Sequence, residues 1–420
     1  MPDAQAARWL LVSRPIIGPS LDGGPALLRQ LIPALPTTER CDYFGDPSRP
    51  LRPLDSGDRL LRVPRMPGGR GAELLERAAI GAVLVARERR RQPVHLFLSP
   101  GPLTERIAAG LVATPEPISR SRGLARRASG GLRSWLGVAR TMVRGRQRGH
   151  ARPAPVIQTM TCGQGIEGYA ALLESLDAVV ALSDHIRDRL IGAGVPRARV
   201  HRIYPGVGPG VGAITDRGAL ERRPGLLYAG ELDAGAADRL IELARTLGEP
   251  SMRGRTLIIA CRPGSAEHEL ERARLARELA GAIGSGRVEL YGEVEDMGAL
   301  MQRCALQLFV ADAVHRRIDL PLVVLEGLAA GLPLVALDRA PLRELFTVGQ
   351  AQGLEFGERV DPGLGPQAVV AAVHRLLDRP ERLLGLSEGA VGLASESFSA
   401  ARMGADYAAL HREVLSRYDL

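Results

Sequence analysis

The chain has 420 residues, a formal net charge of +8, and 45% hydrophobic but only 4% aromatic side chains. That length exceeds what one core usually supports, so two domains are expected, and no stretch approaches the ~20 apolar residues of a membrane span. It contains neither lysine nor asparagine, which excludes a Schiff-base lysine, the usual pyridoxal-phosphate chemistry and a P-loop lysine, and leaves anions to arginine, backbone N–H groups and helix N-termini.

In chain order, "MPDAQAARWLLVSRP" has too short an apolar run, and too little charge before it, for a signal peptide. Strands are expected at "RWLLVS", "VHLFLS", "PVIQTM", "DAVVALS" and "RVHRIYP", with helical patterns such as "AELLERAAIGAVLVARERRR" between them. "IIGPSLDGGPALLRQL" places Gly23 and Gly24 in a loop, serving either a ligand or only a tight turn. His95 opens an apolar strand and reads as a satisfied core-edge residue rather than a catalytic one. The Gly-rich stretch "PGVGPGVGAITDRG", 205–218, reads as the join between two units. Beyond it "GLLYAG", "TLIIA", "RVELYG", "LQLFVA" and "LPLVALD" repeat the strand–helix alternation. Near-continuous apolar strands alternating with helices mean parallel sheets covered on both faces, so the fold class is α/β with two doubly wound domains. The four cysteines, Cys41, Cys162, Cys261 and Cys304, form no CxxC pair. Reduced thiols in a cytoplasm are expected, and structural zinc is not.

Between Glu116 and Glu167 there is no acidic residue but there are ten arginines, at 120, 122, 126, 127, 133, 140, 144, 146, 148 and 152. Leu132, Trp135, Leu136, Ala139 and Val143 recur there at helical spacing. That is the pattern of an amphipathic helix on an anionic membrane, or else of a solvated insertion. One tryptophan gives almost no stacking platform, which argues against nucleic acid.

The stretch 320–332 holds a single polar side chain, Glu326, in a helix apolar almost all round. Such helices are buried, and carboxylates rarely follow them inside unpaired. Glu326 therefore faces either water along one exposed stripe or a ligand. Asp319 suits an N-cap, Pro321 a first turn and Gly331 a stop. This helix starts at the carboxyl end of "LQLFVA", where open α/β sheets bind ligands and where its N–H groups favour an anion.

The stretch "RVELYGEVEDMGALMQRCALQLFVADAVHRRIDLPLVVLEGLAAGLPLVALDRAPLREL" resembles the donor-binding half of family 4 glycosyltransferases, retaining enzymes of GT-B fold. "GLLYAGELD", "LDAVVALSDHIRDRLIGAGVPRARVHRIYPGV" and "SFSAARMGADYAALHREVL" resemble further pieces of that family in its own order. The resemblance implies two Rossmann-like domains facing across a cleft. Residues 1–212 form the first, with a basic insertion at about 117–153, residues 213–396 the second, and 397–420 a crossover helix. It implies that Glu326 binds the ribose of a nucleotide sugar, with Gly230, Val294, Arg262, Pro321 and Leu322 also on the donor. Arg317 and Asp319 are the candidate catalytic residues, no metal or cofactor is needed, and membrane-associated relatives suggest a cytoplasmic protein peripheral on the inner face of the membrane.

Three positions depart from the family pattern. Ile318 stands for the first of two glutamates, Glu231 for a phosphate-gripping arginine, and Thr161 for a histidine. A catalytically silent relative that binds a nucleotide sugar or a partner protein is the alternative these departures favour. A nicotinamide-dependent oxidoreductase would need GxGxxG spacing after a first strand, which "SRPIIGPSLDGGPALL" lacks.

Overall fold

The computed structural model describes residues 7–16, 23–46, 48–53, 57–61, 92–98, 154–262, 265–312 and 318–418. The first domain contributes β1 (Trp9–Ile16), β2 (Cys41–Gly45), β3 (Arg59–Leu61), β4 (Val94–Leu96), β5 (Val156–Met160), β6 (Ala178–Ala181) and β7 (Val200–Arg202). They form an all-parallel sheet in the order β3-β2-β1-β4-β5-β6-β7. The second contributes β8 (Gly225–Ala229), β9 (Thr256–Ala260), β10 (Val288–Tyr291), β11 (Cys304–Phe309), β12 (Leu334–Leu337) and β13 (Gly357–Val360). Their order is β10-β9-β8-β11-β12-β13, again all parallel. In both sheets the strand order reverses beside the first strand, β1 or β8, the switch point at which doubly wound sheets bind ligands. This is the two-domain GT-B architecture.

Six helices position the site: α1 (Gly23–Ala34), α2 (Asp184–Gly192), α3 (Leu322–Ala329), α4 (Leu342–Ala351), α5 (Pro380–Ser397) and α6 (Ala400–Leu415). The period of two along β1 shows why helices are needed on both faces. Trp9 and Leu11 pack with Leu27, Leu28 and Leu31 of α1 and with Tyr407 of α6, whereas Leu10 and Val12 pack with Ile186 and Leu190 of α2. Beyond α5 the chain returns to the first domain as α6, which packs against α1. Gly404 permits this close approach, because a Cβ there would lie 2.2 Å from the carbonyl oxygen of Ala34. A short parallel bridge between Val207 and Ser399 ties the interdomain linker to the start of α6.

Under α6 lies a fully buried polar chain. His95 Nδ1 is 2.8 Å from His411 Nε2, His95 Nε2 is 2.8 Å from Thr159 Oγ1, and Thr159 Oγ1 is 3.1 Å from Tyr407 OH. The other ring nitrogen of His411 meets the Glu39 carboxylate. One donor order satisfies every atom: Tyr407 donates to Thr159, Thr159 to His95, His95 to His411 and His411 to Glu39. Burial holds His95 well below the usual histidine range, and the neighbouring His411 adds to it. His95 is thus a core residue.

Strands β2, β3 and β13 are additional to those expected from sequence. The expected helix at 72–91 and the whole basic segment lie outside the described residues.

Candidate functional site

Helix α3 follows β11 in the chain, as expected, but its N-cap position is Pro321, not Asp319. Asp319 fails to cap because its side chain has a partner in the other domain. Ser183, whose hydroxyl caps α2 by accepting from Ile186 N at 3.0 Å, donates to Asp319 Oδ2. The Asp319 backbone N–H donates to the Thr161 carbonyl at 2.7 Å. Asp319 is completely buried there, and its Oδ1 has no partner among the described residues. Burial pushes its carboxyl up to about 7, against the pull of the Ser183 bond and with a further push from Glu344. At its other end α3 stops as expected, with Gly331 in the left-handed region at φ 74°.

Glu326 lines an interdomain cavity of about 750 Å³. The second domain supplies Val294, Met297, Met301, Ala329 and Ala330 to it, the linker supplies Gly208 to Val211, and the first domain supplies Ile16, Arg29, Gln30, Asp46, Arg49 and Leu51. The linker hugs α3 here, since a Cβ on Gly210 would fall 2.1 Å from the Ala329 carbonyl oxygen. Glu326 is half-buried, and Gln30 donates to its Oε1 at 3.1 Å. Burial raises the Glu326 carboxyl above its ordinary value, while Arg29 and the Gln30 bond oppose that rise. A carboxylate so placed, in a roomy cavity lined by apolar side chains and by charged ones that include Glu295 and Asp296, can accept hydroxyl groups of a ligand.

Of the residues expected on the donor, the cavity brings together Glu326 and Val294. Gly230 follows β8, where a Cβ would touch the Phe309 ring at 3.1 Å. Arg262 is half-buried just beyond β9, and Pro321 and Leu322 open α3. These four stand outside the lining of that cavity. Arg317 lies outside the described residues. Gly23, at φ 56°, and Gly24 begin α1, and Gly24 has a backbone reason to be glycine: a Cβ would meet the Phe97 carbonyl oxygen at 1.9 Å. Ile318 packs on the main core.

Around Glu231 a second, smaller hollow of about 270 Å³ is lined by Asp233, Glu267, His268 and Asp312. Asp312 is held by Arg239 at 3.1 Å and Arg339 at 3.2 Å. Asp233 accepts from Ala236 N at 2.8 Å and from Asp312 N at 2.7 Å. Among the described residues the lining of this hollow is thus mainly carboxylate, which does not itself grip a diphosphate.

Sequence reading missed the first-domain half of the cavity. The only local signal was a pair of polar residues, Arg29 and Gln30, in the apolar helix "GGPALLRQLIPA".

Residues 223–379 match the family described as "Glycosyl transferases group 1". A D-inositol 3-phosphate glycosyltransferase of Thermobispora bispora is 28% identical over 280 residues, covering 63% of this chain and 61% of that protein. The match thus spans about three fifths of the length of this relative. Among solved structures, HepE of Anabaena, in complex with UDP and glucose, superposes with a TM-score of 0.64 at 14% identity, covering 97% of this chain and all of that one. Sucrose-phosphate synthase of Thermosynechococcus elongatus gives 0.62 at 17% identity, covering 98% and 100%. The fold is shared with these two structures, and the group 1 similarity falls on the half of the chain that carries Glu326.

Proposed function

We propose that the chain is a glycosyltransferase that moves a sugar from a nucleoside-diphosphate sugar to an acceptor, with retention of configuration and without an essential metal. The observation that carries this reading is the placement of Glu326. Its carboxylate lines the interdomain cavity, on a helix that starts at the carboxyl end of the central strand β11. On this reading Glu326 takes the ribose hydroxyls, and Val294 lies beside the base. The leaving diphosphate is stabilised by the N-terminus of α3 and by Arg262 and Arg317, because arginine holds phosphate oxygens in bidentate fashion and lysine is absent. UDP and UDP-glucose are the first ligands to test, since HepE was solved with them. Calorimetric titration of wild type and Glu326→Ala decides the site: a loss of at least tenfold, about 1.4 kcal/mol, is expected. Equal affinities would return Glu326 to a solvated stripe.

A second reading, a silent binder of nucleotide sugars, is favoured by the acidic hollow at Glu231 and by the burial of Asp319 against the first domain. Wild-type protein that binds a nucleotide sugar yet neither transfers nor hydrolyses it would select that reading. For the acceptor side, the ten arginines between 120 and 152 support a peripheral site on anionic membranes, with a lipid-linked or cell-envelope acceptor. Among the described residues no helix is long and apolar enough to cross a membrane. Co-sedimentation with anionic and neutral liposomes, at low and high salt, tests that surface.

A further inference from the structure

Gln30 is held at both ends of its amide. Its Oε1 accepts from the Gly208 backbone N–H at 3.1 Å, and its Nε2 donates to Glu326 Oε1 at 3.1 Å. An N–H can only donate, so the amide oxygen must face Gly208 and the NH₂ must face the carboxylate. Three separate parts of the chain meet at this one side chain: α1 of the first domain, the linker, and α3 of the second. Among the described residues this is the only hydrogen bond to the Glu326 carboxylate, which leaves Oε2 for a ligand hydroxyl.

We propose that Gln30 is a positioning residue for the ligand site, holding the Glu326 carboxylate oriented for a ribose diol only when the two domains are closed. The proposal rests on the nucleotide-sugar reading above. A half-buried carboxylate with no donor turns towards water or takes up a proton, and either change removes a directed acceptor. Domain opening separates α1 from α3 and breaks the bond to Glu326. Ligand affinity and domain closure are thereby linked through one amide.

The test is calorimetric titration of UDP and UDP-glucose into the full chain between pH 6 and 8.5, for wild type, Gln30→Leu and Gln30→Glu. The other charged groups lining the cavity are Arg29 on α1, Asp46 and Arg49 after β2, and Glu295 and Asp296 after β10. They are common to all three proteins. Gln30→Leu should bind five- to tenfold more weakly, with a melting temperature lowered only slightly by the two lost hydrogen bonds. Gln30→Glu should bind weakly at pH 8.5 and recover towards pH 6, because two facing carboxyls must share a proton. Wild type should show no such recovery. That reversed pH trend is something mere loosening of the fold would not produce. If Gln30→Leu fails to fold, the near-isosteric Gln30→Glu decides alone. Variants that match wild type in affinity and pH trend overturn the proposal and leave the function standing. Wild type that binds neither these ligands nor the guanosine, adenosine and thymidine diphosphates overturns both.

Discussion

Glu344 of the second domain caps a first-domain helix at Asp184: its carboxylate accepts the Asp184 backbone N–H at 2.6 Å and that of His185 at 3.3 Å. The first turn of α2 leaves its N–H groups without intrahelical partners, and the helix dipole adds a favourable field for an anion. The partner arrives from 160 residues away. This is a charge-assisted contact that exists only when the domains are together.

Removing that carboxylate should open the protein. Glu344→Ala is expected to cost the closed form about 1–2 kcal/mol. Small-angle scattering of the ligand-free variant should then give a larger radius of gyration than wild type. Identical scattering curves would mean that the cap does not hold the domains.

Asp319 should make stability depend on pH in the unusual direction for an acid. Its folded value of about 7 lies above the ordinary 3.8, so the folded state holds the proton more tightly than the unfolded chain. The resulting stabilisation is complete below about pH 4 and is lost as pH rises towards 7. Asp319→Asn keeps an acceptor for Ser183 and cannot ionise. Urea melts should show the variant gaining on wild type by up to about 1.4 kcal/mol per pH unit between pH 5 and 7. A difference that stays constant over that range would refute the assignment.

The buried chain from Tyr407 to Glu39 makes the opposite prediction for the crossover helix. Burial depresses His95, so the stability it contributes is present above about pH 6.5 and is lost as pH falls further. A proton on His95 Nε2 would take away the acceptor of the Thr159 hydroxyl, which must then turn to accept and leave its own proton without this partner. Hydrogen exchange over 400–415, corrected for its intrinsic pH dependence, should therefore speed up at pH 5 relative to pH 7.5. Tyr407→Phe should cost about 1 kcal/mol at neutral pH by removing the terminal donor. Equal protection at both pH values would show that the histidines carry no such load.

The sequence by itself determined two doubly wound domains, the helix of Glu326 and its stop at Gly331, because those features are written locally. Apolar runs at strand length, an apolar helix and a left-handed glycine each act over a few residues. Glu326 stood out for the same reason, as one carboxylate where burial should exclude it. Strands β2, β3 and β13 were hidden. β2 carries a buried Asp42 whose carboxylate is paired with Arg8 at 3.2 Å and accepts from Gln92 at 3.1 Å. β3 and β13 are short edge strands whose exposed or half-buried Arg59, Glu358 and Arg359 blur the apolar pattern. What only the tertiary structure decided is who meets whom. Asp319 reads as a cap until Ser183, 136 residues away, takes its carboxylate. Gln30 is only one of two adjacent polar residues in an apolar helix until Glu326, 296 residues away, accepts its amide. Helix and strand leave a period in the chain because their hydrogen bonds repeat at fixed offsets. A bond across two domains repeats at no offset, and its energy depends on the burial that the partner itself creates.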